Sequence, residues 1–247
     1  LDPRRWKLPG IQPLPLEGWL IRDEVFAGQM ALRDALIKSR QEEVHALLPS
    51  AHAAAIECYD LVLEALREDG DYSWSQSSAT RPDGVAVPLN RSQPLLTIGQ
   101  LTQSDFCLLE SGSDGHVLTG AILCFPAYWT LAEKIGKTML RIHKPVPEYD
   151  SNIGRRVQRL FDAARPDRLL VRANANLHVS PDLFAPKSES APERRVAPDA
   201  ARFVRSERQV IRKLPRSGAT VFSIHTYMVA IDCLDRSARS TLEVLAP

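Results

Sequence analysis

Residues 121–149 read AILCFPAYWTLAEKIGKTMLRIHKPVPEY and join an apolar strand, a short helix and a histidine followed by prolines. The apolar run from Val117 to Phe125 predicts a strand that ends at Pro126, because proline has no N–H to donate to a neighbouring strand. A short helix is predicted next, since Gly136 is the residue type that commonly follows a last helical turn. The apolar residues at helical spacing are Trp129, Leu131, Ala132 and Ile135. The stretch therefore predicts a strand that leads through a helix to His143.

His143 precedes two prolines, Pro145 and Pro147, whose rings fix the backbone φ angle on either side of Val146. A histidine in such a stiffened loop, close in sequence to Trp129, is suited to binding a metal or to acid–base catalysis. A buried structural histidine is the alternative, and these residues alone leave both interpretations open.

The first 70 residues predict an extended arm followed by two helices. Residues 1–19 contain four prolines and two tryptophans, so we expect an extended segment that its indole rings pin onto the body of the protein. Asp23 is a candidate helix N-cap, and Ser50 precedes a second amphipathic helix that ends near Asp69 and Gly70. These two helices are expected to form a packing layer.

The middle of the chain predicts a loop and then a β-hairpin. Residues 70–94 are rich in Ser, Asp, Pro and Gly, which is typical of loops. Thr97–Leu109 and Val117–Cys124 are predicted strands, because the Asp-Gly pair at 114–115 is a strong turn signal. His116 follows this turn and is expected to be solvated.

The second half predicts a helix, a strand, a polar insert and a long hairpin. The helix is expected over Ile153–Ala164 and the strand over Arg168–Ala173, while residues 180–200 are polar and rich in proline. The hairpin is expected over Phe203–Met228, because the Arg-Ser-Gly sequence at 216–218 supplies a turn between two β-rich runs.

Polar side chains alternate along both strands of this hairpin. On the first strand Arg205, Glu207 and Gln209 share one face, because successive side chains of a strand point to opposite faces. These three residues are either exposed to solvent or line a polar pocket, and the pattern leaves both open. On the second strand His225 and Tyr227 share a face.

Composition excludes several classes of protein. No apolar run approaches the ~20 residues that a membrane-spanning helix needs. The net charge of +1 argues against a nucleic-acid or membrane-surface partner. The cysteines are far apart and lie among apolar neighbours, so we expect neither a zinc site nor an iron–sulfur cluster in this chain. They are Cys58, Cys107, Cys124 and Cys233. Reduced cysteines of this kind indicate a cytoplasmic protein.

The order of elements predicts an α+β fold. Two strands, short helices and three further strands follow one another as in PAS-type sensor domains, so we expect a PAS-like antiparallel sheet core with an N-terminal helical extension. The expected division of the chain is an arm and helices in 1–70, the PAS-like core in 95–230 and a C-terminal extension in 231–247.

Four motifs give the chain a specific resemblance to a known family. They are GIQPLPLEGW at 10–19, CFPAYWTLAEKIGKTMLRIHKPVPEY at 124–149, RAN at 172–174 and RSERQVIRKLPRSGATVFSIHTY at 205–227. In these motifs and their order the chain resembles the haem-dependent oxidative N-demethylase family, whose members are similar to the large subunit of dimethylamine monooxygenase.

The resemblance implies an O2-dependent monooxygenase with haem b in the PAS-like core. Such an enzyme removes a methyl group from a small secondary amine and releases formaldehyde, or carries out a related C–H oxidation. Electrons come from NADPH through a separate reductase with a flavin and an iron–sulfur cluster, and a tetrahydrofolate site that captures formaldehyde is also implied. A haem-binding sensor or carrier without turnover is the alternative, and a non-haem interaction subunit is a third interpretation.

The resemblance also suggests the iron ligand and the catalytic residues. A haem protein needs an axial ligand, and His143, His178 and His225 lie in the half that resembles the haem domain. His143 is the predicted iron ligand, because it falls within the most distinctive motif. His225, Glu207 and Tyr227 are the predicted catalytic residues, which would contact oxygen, protons or a cationic amine.

Five further residues are predicted to bind the cofactor. Phe125 and Trp129 would offer flat apolar surface to a porphyrin. Arg141, Arg172 and Arg205 are candidates for the haem propionates, because a guanidinium group binds a carboxylate through two parallel hydrogen bonds. Ordinary core packing and surface ion pairs are the alternatives for these residues.

Two positions depart from the family pattern. Ala175 follows the RAN motif where the family usually has Trp, and His225 stands where the family usually has Arg. Loss of an indole opens space in a pocket wall, and apolar walls of this kind contribute to selectivity. We therefore expect a substrate larger than dimethylamine.

Overall fold

A large antiparallel sheet with helices on both faces forms the body of the protein. The computed structural model describes residues 10–143, 151–191, 200–236 and 238–239. The α-helices in these ranges are α1 (Phe26–Ser39), α2 (Gln41–Val44), α3 (His52–Arg67), α4 (Pro94–Leu101), α5 (Leu131–Lys134), α6 (Met139–Ile142) and α7 (Ser151–Asp162). The strands are β1 (Gln12–Leu14), β2 (His45–Leu47), β3 (Ser73–Trp74), β4 (Ser78–Thr80), β5 (Ala86–Pro88), β6 (Asp105–Gly112), β7 (Gly115–Ile122), β8 (Leu169–His178), β9 (Phe203–Lys213) and β10 (Thr220–Ala230).

The strand order of the main sheet is β1-β8-β9-β10-β6-β7-β2, and each neighbouring pair is antiparallel. This arrangement confirms the predicted α+β class. The two predicted hairpins are also present, as β6–β7 and β9–β10. The tip of the β9–β10 hairpin is held by Glu57 of α3, whose carboxylate accepts hydrogen bonds from the backbone N–H groups of Arg216 and Ser217 at 2.6 and 2.7 Å.

The two faces of the sheet carry separate apolar cores. Face 1 is the side that packs against α1, α3 and α4, and its sheet residues are Phe106, Leu108, Val210 and Val221. Face 2 is the side that packs against α5 and α7, and its sheet residues are Cys107, Leu109, Ile211 and Ile224. Because neighbouring residues of a strand point to opposite faces, and the pairings β8–β9 and β9–β10 have no register shift, the parity of a residue number assigns its face in β8, β9 and β10.

A buried ion pair joins the helical layer to the sheet. The Arg33 guanidinium of α1 donates from Nη1 to Asp105 Oδ1 of β6 at 2.6 Å, and both side chains are almost completely buried. The remaining donors of Arg33 meet carbonyl oxygens, including those of Gly99 and Ser104 at 2.9 and 3.0 Å. Each of the three guanidinium nitrogens therefore has a hydrogen-bond partner, and a buried charge is tolerated when it is paired in this way.

The same carboxylate of Asp105 fixes the chain where β7 ends. Its Oδ1 accepts a hydrogen bond from the backbone N–H of Cys124 at 2.8 Å, and its Oδ2 accepts one from that of Phe125 at 2.9 Å. Since the backbone beyond Ile122 has left the ladder, these bonds replace those that a neighbouring strand would provide. The Phe125 ring lies on the helical side, 5.3 Å from the Arg33 guanidinium carbon.

The N-terminal arm is tied to the sheet as predicted. β1 pairs with β8, and the Trp19 side chain is 1% exposed. Its indole Nε1–H donates to Ser223 Oγ at 3.1 Å, and its ring meets that of Phe106 edge-on. Trp6, the other tryptophan of the arm, lies outside the described residues.

Two predictions for the middle of the chain are wrong. Thr97–Leu109 is not one strand, because α4 occupies Pro94–Leu101 and β6 begins only at Asp105. A short apolar run is ambiguous between helix and strand, and the close approach of α4 to β7 decides it here. A Cβ atom on Gly99 would lie 2.5 Å from Ile122 Cγ1, so only glycine permits this contact. The predicted loop at 70–94 contains the small sheet β3-β4-β5.

His116 is buried rather than solvated, which corrects its predicted environment. Its side chain is 1% exposed, and its ring lies 5.3 Å from that of Phe161 on α7. Gln158 of the same helix contacts Nδ1 of His116 at 2.8 Å. The predicted helix at 153–164, observed as α7, thus covers the turn that was expected to face water.

The outer edge of β7 is covered over much of its length. β2 pairs with Gly120, Ala121 and Ile122. The segment after α5 continues the coverage, because Gly136 N–H donates to Leu118 O at 2.8 Å and Leu118 N–H donates to Lys137 O at 3.0 Å.

We expect Asp105→Ala to lower the free energy of unfolding by about 3–5 kcal/mol, because it leaves the Arg33 charge in the core without its counter-ion. Urea unfolding followed by circular dichroism measures the change. Glu43→Ala is the matched control, since it removes an exposed ion pair with Arg40, and pairs of this kind contribute little to stability. Equal losses in the two variants would contradict a dominant role for the buried pair.

Candidate functional site

Polar side chains on face 2 are concentrated where β8, β9 and β10 run side by side. Arg205, Glu207 and Gln209 of β9 are buried, so the solvent-exposed alternative for these residues is wrong. We call them, together with their neighbours on the same face, the polar cluster. Its members are Arg172, Asn174 and His178 of β8, Arg205, Glu207 and Gln209 of β9, and Thr226 of β10.

Glu207 is the hub of the polar cluster. Its Oε1 accepts a hydrogen bond from Arg205 Nε at 3.2 Å. Its Oε2 accepts from Asn174 Nδ2 at 3.1 Å and from Gln209 Nε2 at 3.0 Å. With three donors directed at it, the carboxylate is held in one orientation, and charge-assisted hydrogen bonds of this kind are the strong ones.

Arg205 connects the hub to two loops. Its Nη1 donates to Leu183 O at 3.0 Å, and its Nη2 donates to Phe125 O. Together with the bond from Nε to Glu207, these contacts occupy all three guanidinium nitrogens. Arg205 therefore supports the cluster and the end of β7, and its donors are already engaged within the protein.

Arg172 differs from Arg205, because part of its hydrogen-bonding capacity is unused. Its Nε atom is buried and has no hydrogen-bond partner. Burial lowers the pKa of the Arg172 guanidinium, and the negative charge of Glu207 offsets this only in part. The cluster holds two guanidinium groups, Arg172 and Arg205, against the single carboxylate of Glu207, so its positive charge is in excess.

Three further buried atoms of the cluster have no partner among the described residues. They are His178 Nε2, Gln209 Oε1 and Thr226 Oγ1. A buried polar atom without a hydrogen bond costs about 1–3 kcal/mol, so proteins seldom leave several together on one surface. Such a concentration is typical of a surface that meets a polar ligand.

His143, the predicted iron ligand, lies at the C-terminal end of α6. Its Nδ1 is 2.9 Å from the carbonyl oxygen of Met139. A carbonyl can only accept, so Nδ1 carries the proton of the neutral ring and Nε2 carries the lone pair. Burial lowers the pKa of His143, and the charges of Lys134 and Arg172 lower it further. Pro145 and Pro147, which were predicted to stiffen this loop, lie outside the described residues.

The helix that carries His143 is held in place by charged contacts. Lys134 of α5 is buried and donates from Nζ to Ile142 O at 2.8 Å and to the Glu189 carboxylate. Arg141 of α6 donates to the same carboxylate, from Nη2 at 3.0 Å. These two cations lower the pKa of Glu189 to about 2, with the Arg141 hydrogen bond as the largest cause. Arg141 is therefore engaged in an ion pair within the chain.

The two predicted aromatic contacts with the cofactor lie on different sides. Trp129 is half-buried and packs with the apolar core of face 2. Phe125 belongs to the core of face 1, next to Arg33, and only its carbonyl oxygen reaches the polar cluster. The chain turns at Pro126 after Phe125, and for that reason the two rings diverge.

The predicted catalytic residues are not brought together. Glu207 lies on face 2, whereas His225 and Tyr227 lie on face 1, since their β9 partners are Arg208 and Ser206. His225 Nε2 pairs with Asp23 Oδ2 at 3.0 Å, and its ring lies 4.7 Å from that of Tyr227. Burial is the main cause that lowers the pKa of His225.

Ala175 shares this location, because it pairs with Ser206 on face 1. The two positions that depart from the family pattern, Ala175 and His225, therefore both lie across the sheet from the polar cluster. Their location separates them from the unpartnered atoms of the polar cluster, although the buried Nδ1 of His225 on face 1 also has no hydrogen-bond partner among the described residues.

Four members of the cluster were not among the predicted catalytic, cofactor-binding or metal-binding residues: Asn174, His178, Gln209 and Thr226. The strand was predicted to end at Ala173, whereas β8 continues to His178. Alternation along RANANLH, which places Arg172, Asn174 and His178 on one face, was the signal that would have found Asn174 and His178.

No cluster of three or more His, Cys, Asp or Glu side chains suited to a metal ion occurs among the described residues. A haem iron needs only one or two protein ligands, so the absence of such a cluster does not bear on haem binding. Within the same ranges, no helix is both long enough and apolar enough to cross a membrane.

Comparison with protein families adds the decisive observation. The family model for haem-dependent oxidative N-demethylase, alpha subunit-like, matches residues 10–245. The chain belongs to this family. The match covers nearly all of the sequence, including every strand of the main sheet, and it confirms the resemblance drawn from the four motifs.

We expect the protein to lose stability as the pH falls from about 6.5 toward 4. Burial, with a smaller contribution from Arg205, lowers the pKa of His178 to about 4, while an unfolded histidine has a pKa of about 6.5. In that window the unfolded chain binds a proton that the folded chain does not, so unfolding is favoured by up to about 3 kcal/mol. Buried His116, His143 and His225 act in the same direction.

Urea unfolding at pH 7.5 and 4.5 measures this loss, and His178→Gln should reduce the difference between the two pH values. His52→Gln is the control, because His52 is exposed at the start of α3. An unchanged pH difference in the His178 variant would show that this ring is not protonated on unfolding.

Proposed function

We propose that the protein is a haem-dependent monooxygenase that removes a methyl group from a small amine-type substrate or oxidises a related C–H bond. Membership of the N-demethylase family supports haem and oxidative chemistry. The observation that carries the proposal is the set of unpartnered buried atoms of the polar cluster on face 2. One of them belongs to Arg172, which lies close enough to His143 for its charge to lower the pKa of that histidine.

The residues present on face 2 are suited to haem. His143 has the arrangement of a metal-binding histidine, because one ring nitrogen bonds to a carbonyl and the other carries the lone pair. Arg172 has an unused donor and an excess positive charge that a propionate would neutralise. Trp129 offers an aromatic surface on the same side of the sheet.

The architecture agrees with a PAS-like haem-binding core over 95–230. Two strands, β6 and β7, are followed by the short helices α5 and α6, by α7, and by three strands, β8 to β10. The helices between β7 and β8 pack on face 2, so a group bound there would lie between helices and sheet. On this division residues 1–70 form the N-terminal extension and residues 231–247 the C-terminal one.

When bound, haem iron supplies O2 binding and electron transfer. The residues of this chain would hold and orient the group and its substrate. His143 would bind the iron, Arg172 would pair with a propionate, and Glu207 would present a fixed negative charge near the cationic amine. Arg205 and Arg141 would support the site through Phe125 and Glu189 rather than meet the propionates directly.

The partners follow from the same family chemistry. We propose that electrons arrive from NADPH through a separate reductase with a flavin and an iron–sulfur cluster, and that tetrahydrofolate captures the formaldehyde released. Three of the four cysteines are buried thiols whose pKa is raised by burial, which suits reduced cysteines in a cytoplasmic protein.

A haem-binding sensor or carrier without turnover is the second candidate. It is favoured by the separation of Glu207 from His225 and Tyr227, which leaves one of the three predicted catalytic residues on face 2. It is also favoured by the three hydrogen bonds that already engage the Glu207 carboxylate.

A visible spectrum and an oxidation assay test the proposal. Protein purified from cells supplied with iron should show a strong Soret band. With a flavin and iron–sulfur reductase, NADPH and an N-methyl amine, it should release formaldehyde. A Soret band without formaldehyde from any amine tested would favour the sensor or carrier, and absence of the band would exclude both.

We expect His143→Ala to shift the Soret band and to lower the ratio of haem to protein after gel filtration, because the variant lacks the imidazole that would bind iron. Circular dichroism and the urea unfolding curve of the variant show whether the fold is retained. His225→Ala is the control, because His225 lies on the other face of the sheet. A shift in the control together with a wild-type spectrum for His143→Ala would move the ligand to His225.

A further inference from the structure

Tyr128 and His178 form a contact at one end of the polar cluster. Their rings are stacked with centroids 4.8 Å apart and planes 10° from parallel, and the Tyr128 hydroxyl lies 3.0 Å from His178 Nδ1. Tyr128 has a φ of 60°, which is uncommon for a residue other than glycine. Backbone pairing sustains this conformation, because Tyr128 N–H donates to Ala185 O at 2.9 Å and Ala185 N–H donates to Pro126 O at 3.2 Å.

This contact sets the position of the proton on the His178 ring. Burial keeps the imidazole neutral at pH 7, since its pKa is lowered to about 4. A phenol is a stronger acid than a neutral imidazole, so in the bond between them the Tyr128 O–H donates and Nδ1 accepts. The ring proton of His178 is therefore on Nε2.

The Nε2–H group of His178 is a buried donor without an acceptor. The residue is 2% exposed, and no hydrogen-bond partner for Nε2 occurs among the described residues. The Glu207 carboxylate, whose charge acts on His178, is already bonded to Arg205, Asn174 and Gln209. A bound molecule would supply the missing acceptor.

Charge selects the class of that acceptor. Near His178 the charge of Arg205 acts more strongly than that of Glu207, so an anionic oxygen is favoured over a neutral carbonyl. His178 and Arg172 are six residues apart on one strand, which places their Cα atoms ~20 Å apart. One small carboxylate cannot reach both side chains, so His178 is an anchor point separate from Arg172.

We propose that His178 is a ligand-binding residue that donates its Nε2–H to a carboxylate of the bound molecule, and that Tyr128 positions the ring for this contact. The carboxylate belongs either to the haem of the proposed function, on which this part of the inference rests, or to a substrate acid. Hydrogen bonding to a carboxylate is the chemistry that the two sources share.

Titration of the haem-free protein distinguishes the two sources. Haem and haem dimethyl ester, in which both carboxylates are blocked, are titrated into the wild type and into three variants: His178→Phe, His178→Gln and Tyr128→Phe. His178→Phe should weaken haem binding roughly tenfold or more and leave binding of the ester unchanged, because only the acid offers a charged acceptor. His178→Gln should retain most of the affinity, since its amide can accept from Tyr128 and donate inward.

Tyr128→Phe should weaken haem binding less than His178→Phe does, because it keeps the stacked ring and removes only the hydroxyl that fixes the tautomer. It also serves as the second variant if His178→Phe does not fold, since Tyr128 is 46% exposed. Nitrogen-15 NMR of the ring provides a readout independent of haem: Nε2 should carry the proton in the wild type. Sodium acetate should shift the Nε2 resonance if the carboxylate belongs to a substrate.

Equal weakening of haem and its ester by His178→Phe, with no acetate shift, would make His178 a packing residue and overturn the proposal. A ring protonated on Nδ1 would also overturn it. Failure of the proposed function appears separately, as a wild type that binds neither haem nor its ester. In that case the acetate titration decides, because a shift that Tyr128→Phe reduces supports a carboxylate site and no shift excludes one.

Discussion

The buried ion pair between Arg33 and Asp105 is the contact through which the helical layer controls the far side of the sheet. The Asp105 carboxylate holds the backbone N–H groups of Cys124 and Phe125, and the carbonyl of Phe125 in turn accepts from Arg205. Arg205 then holds Glu207. A continuous series of hydrogen bonds thus runs from α1 on face 1 to the centre of the polar cluster on face 2. Because a buried polar group that loses its partner is costly, the position of each member restricts the next.

The polar cluster combines a satisfied half with an unsatisfied half. Both carboxylate oxygens of Glu207 and all three guanidinium nitrogens of Arg205 are hydrogen-bonded to protein groups, which makes these two side chains a rigid support. Arg172 and His178 keep buried donors without partners, at opposite ends of the same strand face. A site built in this way needs little rearrangement when a ligand arrives, since the supporting side chains are already oriented. The unfilled atoms indicate where polar groups of the ligand would lie.

The class of fold and the five longest strands of the main sheet, β6 to β10, could be predicted from the sequence, because hairpin turns and apolar runs are local signals. Alternation also predicted that Arg205, Glu207 and Gln209 share a face, but it could not say whether that face is covered. Covering depends on α5 and α7, which meet the sheet only after the chain has folded. Alternation within a single strand likewise cannot show whether Glu207 and His225 lie on the same face of the sheet. That depends on the register between β9 and β10, in which His225 pairs with Arg208. Phe125 lies on face 1, on the other side of the sheet from Trp129, and its ring packs next to Arg33, which is 92 positions earlier in the sequence.

The covered edge of β7 has a consequence for how the protein meets other chains. A bare edge strand offers a row of unpaired N–H and C=O groups, which invites an extended segment of another molecule to add to the sheet. Here β2 and residues 136–138 already use those groups over most of β7. Strand addition directly to β7 is thus blocked, and the edge that remains on this side is the three-residue strand β2, which is too short to pair with a long extended segment.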